Sequence, residues 1–400
     1  MKILTKEEVI EKCLLKGKVL KVSEEVYGEI KERAREGLKR LIESMLEEEV
    51  KREIGARGWE RNRRRKNYRN GRYRRGLITG LGEIKDLEVP RVRKGGIKFK
   101  TIPRYRRRSR DVEKMIIEMF LAGVSTRRVK EVIKPLMGRK VISSQTVSNL
   151  AKELDRMVEE YHSREIEDRF KYLILDGIYL KVKSPIEVRS RCILVAYGIK
   201  EDGSRELIDY QLASKGESEG AWYKFLSSLY MRGLEGKRLK IITIDGNKGL
   251  RRAVELVYPV AKIQRCWVHK IRNVRAKIKK KDEEECMKGV KEIYLAENYN
   301  HAVYRFRIWK KKWKNKYSQA VKCIEEDLEE LLAFFGTDEK DRIKIRTTNI
   351  IERVFREIRR RTRPMSCFQN KKSVDRIIFA IFYRFNCLWR NSPYEITQNY

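Results

Sequence analysis

From about residue 18 to residue 54 apolar positions return every three to four residues. Val22, Val26, Ile30, Ala34, Leu38, Leu41, Ile42 and Met45 fall on one stripe, and this spacing predicts an amphipathic helix suited to packing or dimerisation. The rhythm then stops. Residues 61–75 read RNRRRKNYRNGRYRR without an acid, and the GLITGLGEIKDLEVPRVR that follows alternates as strands do, with turn signals at Asn70-Gly71, Gly80 and Gly82. Helical spacing returns between Val112 and Leu154. Met115, Ile116, Met119 and Phe120 make one apolar face, which Gly123 interrupts; Ser125 can cap a second helix carrying Val129, Val132 and Ile133, ended by Gly138. Ser143 or Ser144 can cap a third helix, Gln145 to Leu154. This is the rhythm of a helix-turn-helix, and a plain three-helix bundle shares it.

At Lys171 the period changes to that of strands. Tyr172 to Val182, Arg191 to Ile199 and Glu206 to Ala213 read as an antiparallel meander, separated by Ser184-Pro185 and Glu201-Asp202-Gly203-Ser204. A helix over Ser218–Arg232 leads to the apolar run Leu239–Ile244, suited to a buried parallel strand that ends at Asp245. Helix Lys248–Val257 and a short strand, Ala261–Gln264, extend the series. Three antiparallel strands, a helix and a parallel fourth strand form a ribonuclease H-like order. Beyond His269 the chain is helical, basic and aromatic to about Phe335, as an all-α insertion would be, and a strong helix over Asn349–Arg361 follows with Ile351, Val354, Phe355 and Ile358 as its buried stripe.

Composition narrows the partners. Lys and Arg total 95 against 57 Asp and Glu, a formal net charge of +38, so a polyanion is the expected partner and nucleic acid the default one. The longest apolar run, around Ile377–Phe382, is far short of the ~20 residues a membrane span needs. The charged start, MKILTKEE, lacks a signal peptide's apolar core, and seven scattered cysteines make no paired framework, so a cytoplasmic protein with reduced thiols is expected. The acid-free run, interleaved with tyrosines, suits a DNA-contacting β-arm through Arg63, Arg64, Arg65, Arg69 and Arg72. On the third helix of the helix-turn-helix, Gln145, Thr146, Ser148, Asn149 and Lys152 suit phosphate or base-edge contacts.

Asp176 inside one strand and Asp245 at the end of another sit in apolar surroundings that penalise an unpaired charge. Either acid alone could be satisfied by a hydrogen bond or an arginine; two at adjacent strand positions favour a divalent cation. Glu352 borders the buried stripe of its helix and can supply a third carboxylate, although its spacing from Arg356 also fits a local i, i+4 ion pair. Arg356, Arg359 and Arg363 fall on roughly its face, and with Arg353 they would lead a phosphate strand toward it. Cys266 and His269 form a CxxH pair, too few ligands for zinc and better suited to supporting the site. Trp267, Trp309 and Trp313 are candidates for stacking on an unpaired base, with core packing as the alternative.

Five blocks carry a family resemblance. Leu175-Asp176-Gly177-Ile178-Tyr179-Leu180-Lys181-Val182, Gly216-Glu217-Ser218-Glu219 with Trp222, Asp245-Gly246-Asn247-Lys248-Gly249-Leu250, Gln264-Arg265-Cys266-Trp267-Val268-His269, and Arg346-Thr347-Thr348-Asn349 leading to Glu352-Arg353 stand in one order. The chain resembles the mutator-type transposases of bacterial and archaeal insertion sequences over nearly its whole length. The resemblance implies an Asp176, Asp245, Glu352 triad holding two Mg²⁺ ions, replaceable by Mn²⁺, in a ribonuclease H-like domain with a helical insertion between the second and third acids. It implies binding of terminal inverted repeats, cleavage of DNA strands and joining of 3′-hydroxyl ends to target DNA, by a homodimer or higher oligomer on double-stranded DNA. Asn247 departs from the family's more usual histidine. The expected architecture is α/β, with an N-terminal helical region at 1–55, a basic β-arm at 56–110 and a helix-turn-helix at 111–165. The ribonuclease H-like core follows at 166–269, the insertion at 270–340 and the C-terminal core helices at 341–400. A catalytically inactive DNA-binding regulator and a structure-specific nuclease are the alternatives.

Overall fold

The computed structural model describes residues 6–103, 106–122, 124–125, 128–129, 131–133, 143–183, 187–213 and 216–390, with side chains from residue 25 onward. The expected helix breakers Gly123 and Gly138 and the side chain of Ser144 lie outside the described residues. The chain divides into two compact units, residues 1–120 with 124–151, and residues 121–123 with 152–400.

In the first unit, helix α1 (Lys6–Ile54) is longer than its apolar stripe predicts, and of its described side chains, from residue 25 onward, those toward the C-terminal end are covered. Ile42, Leu46, Val50 and Ile54 are buried, while Val26, Ile30, Leu41 and Met45 stay exposed, because the surface that packs on α1 begins only near residue 38. That surface is a hairpin of β1 (Arg69–Thr79) and β2 (Gly82–Val92), whose Leu77, Ile84, Leu87 and Val89 close the core. The hairpin turns at Gly80-Leu81 between the paired Thr79 and Gly82. Asn70-Gly71 makes no turn. It lies within β1, where the register slips between Arg69 and Arg72 and Gly71 takes a φ of +69°, so the positive-φ residue forms a bulge that bends the basic edge. Helix α2 (Arg110–Leu121), the residues around Val129 and Ile133, and α3 (Ser144–Ala151) share one core of Val112, Ile116, Val129, Ile133, Val147 and Leu150. Ser125 and Ser143 both act as caps, their hydroxyls accepting from the N–H of Arg128 and Thr146 at 3.3 and 3.1 Å. The third helix ends at Ala151, three residues before its expected end.

The second unit opens with α4 (Leu154–Ser163) and holds a mixed five-stranded sheet. Strands β3 (Phe170–Lys183), β4 (Val188–Lys200) and β5 (Arg205–Leu212) pair antiparallel; β6 (Ile241–Ile244) runs parallel beside β3 and β7 (Lys262–Arg265) parallel beside β6. The order is β5-β4-β3-β6-β7. Helices α5 (Glu219–Met231) and α6 (Lys248–Val257) cover one face, burying Trp222, Phe225, Leu226, Leu250 and Val254 against β3, β4 and β6. Helices α7 (Trp267–Arg275), α8 (Lys280–Tyr294), α9 (Tyr299–Trp313), α10 (Ser318–Glu325), α11 (Leu328–Leu331) and α12 (Glu339–Ile345) follow the last strand. They lean on β7 through Gln264, whose side chain donates to Leu331 O at 3.1 Å and accepts from Phe334 N at 2.8 Å. Helix α13 (Asn349–Thr362) and α14 (Lys371–Arg390) close the unit. No described helix is long and apolar enough to cross a membrane.

Candidate functional site

The sheet register sets two acids side by side. Tyr172, Leu173 and Ile174 of β3 pair with Ile241, Ile242 and Thr243 of β6, and the same register carried two residues further brings Asp176 level with Asp245. Apolar neighbours on both strands bury Asp176 to 8 % exposure. Burial pushes its carboxyl up to about 7; the Gly177 N–H and the charge of His269 oppose this, and the charges of Asp245 and Glu217 add to it. The one hydrogen bond to this carboxylate among the described residues comes from that neighbouring N–H, at 2.8 Å. Asp245, at the mouth of the sheet, is half-buried and accepts from Asn247 N at 2.9 Å.

Asn247 caps α6: its side-chain oxygen accepts from Gly249 N and Leu250 N at 2.8 and 3.0 Å. Its Nδ2 donates to the carboxylate of Glu217 at 3.2 Å. Gly249 is required in this turn, since a Cβ there would stand 2.7 Å from Glu219 N where α5 and α6 begin together.

Cys266 and His269 sit where β7 passes into α7. Burial acts to raise the Cys266 thiol, but hydrogen bonds from His269 and Thr348 outweigh it and hold the thiol below its ordinary range. Cys266 in turn pushes His269 up to about 9 against its partial burial, with Asp176 and Asp245 contributing, and its Nδ1 is buried with no hydrogen-bond partner among the described residues. Cys266 Sγ also accepts from Thr348 N at 3.3 Å and lies 3.3 Å from its hydroxyl. Thr348 O accepts from Glu352 N, so this cysteine fixes the first turn of α13 to the sheet edge.

Glu352 does not meet the two aspartates here. Its carboxylate is 31 % exposed and pairs at 3.5 Å with Arg272, one turn beyond His269 on α7. The local pair with Arg356 is absent, and Arg353, Arg356, Arg359 and Arg363 are all exposed. Arg359, Arg363 and Lys181 line a cavity of about 300 Å³ beside the end of β3. Among the described residues, no three His, Cys, Asp or Glu side chains are gathered closely enough to hold a metal ion.

The tryptophans are a correction to the stacking expectation. Trp267, Trp309 and Trp313 are 1, 3 and 4 % exposed, so no ring face is open to a base. The indole N–H of Trp267 donates to Leu331 O at 2.8 Å and that of Trp309 to Cys286 O at 3.0 Å, and Gly289 leaves room for the Trp309 ring, which a Cβ would approach to 2.6 Å. They hold the insertion together.

Part of the charge in the first unit is already neutralised. Arg72 bonds Glu47 and Glu88 at 2.9 and 3.0 Å, Arg69 pairs with Glu47 at 3.6 Å, and Arg65 lies over Tyr68. Arg63 and Arg64 are exposed. Arg74 and Arg75 of the acid-free run, together with Arg91, Arg107 and Arg108, which sequence reasoning missed, line a cavity of about 1160 Å³ that reaches Ser143 and Thr146 at the start of α3. Arg91 stacks 4.7 Å over Tyr73, and Nε of Arg108 is buried with no hydrogen-bond partner among the described residues. On α3, Gln145 donates to Asn149 at 3.2 Å; both are exposed, Ser148 is half-buried, and Lys152 just beyond is exposed. Only the long-range pairing of β1 with β2 and the return of residues 106–109 bring Arg91, Arg107 and Arg108 beside the basic run, so no local pattern could have added these three to it.

A family model described as "Transposase, Mutator family" matches residues 10–392. The transposase for insertion sequence element ISRM5 of Rhizobium meliloti (strain 1021) is 34 % identical over 347 residues, covering 87 % of this chain and 86 % of that protein. The transposase for IS256 in transposon Tn4001 of Staphylococcus aureus is 32 % identical over 360 residues, covering 87 % and 89 %. That of IS406 of Burkholderia multivorans (strain ATCC 17616 / 249) is 30 % identical over 382 residues, covering 94 % and 97 %.

Proposed function

The chain belongs to the Mutator family of transposases, and on that premise we propose that it cuts DNA strands at the ends of an insertion sequence and joins their 3′-hydroxyls to target DNA. In this reading the second unit is a ribonuclease H-like catalytic domain with Asp176, Asp245 and Glu352 as its acids. The observation that carries the reading is the parallel register of β3 and β6, paired as far as Ile174 and Thr243, which carried two residues further sets Asp176 level with Asp245 just past the end of β6, while Cys266 bonds the residue that opens the Glu352 helix.

The residues fit a magnesium site in their chemistry. Asp176 and Asp245 offer hard carboxylate oxygens, and Asp176 is buried without a cationic bond partner among the described residues. Two bound ions would activate the attacking hydroxyl and stabilise the leaving oxygen. The chain's own groups prepare for them. His269, drawn toward its charged form by Cys266 and the aspartates, offsets part of the repulsion between them, and Arg272 holds Glu352 aside until DNA phosphates compete for that guanidinium. Arg359 and Arg363, with Lys181, supply phosphate contacts along the cavity they line, and Arg356 stands exposed on the same helix to add another.

The ends are bound by the first unit. Five arginines converge on the cavity beside the capped start of α3, which supports double-stranded DNA as the ligand, its phosphates on the arginines and its base edges toward Gln145, Thr146 and Asn149. Holding two ends together calls for at least a dimer on DNA. The test uses a labelled duplex carrying the sequence that flanks the protein's own gene, with magnesium. Wild type should nick it and yield strand-transfer product; Glu352→Gln and Asp176→Asn should each abolish both while still shifting the duplex in a gel. Full cleavage by either variant overturns the assignment, and cleavage without transfer product points to a structure-specific nuclease.

A further inference from the structure

A fourth carboxylate stands beside the two aspartates, and no part of the reaction described above uses it. Glu217 precedes Ser218, the N-cap of α5, and its side chain turns back over the sheet. Its Oε1 accepts from Cys192 Sγ at 3.4 Å, and Cys192 lies on β4 opposite Tyr179 of β3. Its Oε2 and its backbone oxygen both accept from Asn247 Nδ2 at 3.2 Å. The carboxylate rests on Gly177, the residue after Asp176: a Cβ at that position would come within 2.4 Å of Oε1 and 2.9 Å of Cδ. Asn247 in turn donates its N–H to the Asp245 carboxylate. One half-buried carboxylate thus touches the strand carrying the first acid and, through a single side chain, the loop carrying the second. Among the described residues its hydrogen-bond donors are neutral and it makes no ion pair.

We propose that Glu217 is a positioning residue of the strand-cutting site, a clamp that fixes the spacing of Asp176 and Asp245 by bonding Asn247 while seated on the bare backbone of Gly177. The inference rests on the assignment of those two acids as the reactive ones. It accounts for Gly177 and Asn247 together. Gly177 leaves the space, and Asn247 has both an oxygen to cap α6 and an amide to reach Glu217.

The neutral isostere separates positioning from a direct part in the chemistry. Glu217→Gln keeps an acceptor for Asn247 Nδ2 and nearly the same shape; Glu217→Ala removes the clamp, and Gly177→Ala obstructs its seat. In magnesium titrations of cleavage on the labelled duplex, Glu217→Gln should stay within several-fold of wild type, whereas Glu217→Ala and Gly177→Ala should each lose about 10- to 100-fold, the usual size of such an effect. The magnesium concentration for half-maximal cleavage should rise in both, a readout that a general loss of packing does not move, with gel-shift binding unchanged. The Glu217→Ala/Gly177→Ala double variant should lose less than the product of the two single losses, because the added methyl then meets no carboxylate and only Cys192 Sγ, at 2.8 Å. Glu217→Gln as inactive as Asp176→Asn overturns the clamp in favour of a charged role, and fully active Glu217→Ala overturns any role. An active Asp176→Asn, run in parallel, removes the assignment of the acids and the clamp with it.

Discussion

Replacing Asp176 by Asn should stabilise the metal-free protein while destroying its activity. The side chain is 8 % exposed, and burial, before the charges of Asp245 and Glu217, pushes its carboxyl up to about 7 from an ordinary value of 3.8. A carboxyl whose value is raised on folding keeps its proton in the folded chain at a pH where the unfolded chain has lost it. Stability therefore falls as pH rises from about 4 to about 7 and stays low above that. At about 1.4 kcal/mol per pH unit, three units make the full penalty about 4 kcal/mol at pH 8 and under about 2 kcal/mol at pH 5. Asparagine has no charge to desolvate, and its side-chain oxygen can still accept from Gly177 N.

Melting wild type and Asp176→Asn in chelator near pH 8 and near pH 5 measures the difference. At about 2–4 °C per kcal/mol for a unit of this size, the variant should melt about 8–16 °C higher near pH 8, with less than half that gain near pH 5. Magnesium should then raise wild type and leave the variant unchanged, because binding to the folded form alone stabilises it. A variant no more stable than wild type near pH 8, or a gain that does not depend on pH, would refute the reasoning, since the carboxylate would then already be satisfied within the protein.

Three further outcomes follow from the same geometry. Cys266→Ala should cut strand cleavage more than DNA binding, because it releases the first turn of α13 from the sheet edge; a cleavage assay and a gel shift on one preparation check this. Arg91→Ala and Arg107→Ala should each reduce the log–log salt dependence of duplex binding by about 0.9, one phosphate contact apiece, as fluorescence anisotropy at several salt concentrations would reveal. Trp309→Ala should cost about 3–5 kcal/mol of stability by chemical denaturation, whereas the exposed Arg359→Ala should leave stability unchanged and weaken DNA binding.

Much of the second unit could be read along the chain because its strands advertise themselves locally. The run Tyr172–Asp176 and the apolar Leu239–Ile244 needed no partner to be recognised; the first ends on Asp176 and the second stops one residue before Asp245. Capping was equally legible, at Ser125 and Ser143. What escaped depends on distant neighbours. Asn70-Gly71 has a turn's composition but sits where β1 must absorb an extra residue against β2, a fact belonging to the pair of strands. Glu352 has Arg356 one turn away, yet bonds Arg272, 80 residues earlier, because α13 and α7 start from the same sheet edge. The three tryptophans lie among lysines and arginines that suggest an exposed face, and only the packing of α8 on α9 and of α7 on α11 buries them. Glu217 stood in one of the blocks that carry the resemblance, but nothing near it along the chain told what it touches; its contact with Gly177 reaches across to another strand.

The account turns on three acids meeting around metal once DNA is bound. The direct measurement is a crystal structure of the protein on its end DNA with manganese, read by anomalous scattering. It should place manganese on the carboxylates of Asp176 and Asp245, with Glu352 moved off Arg272 to join them. Manganese elsewhere, or Glu352 still paired with Arg272 while the other two hold metal and a scissile phosphate, would contradict it.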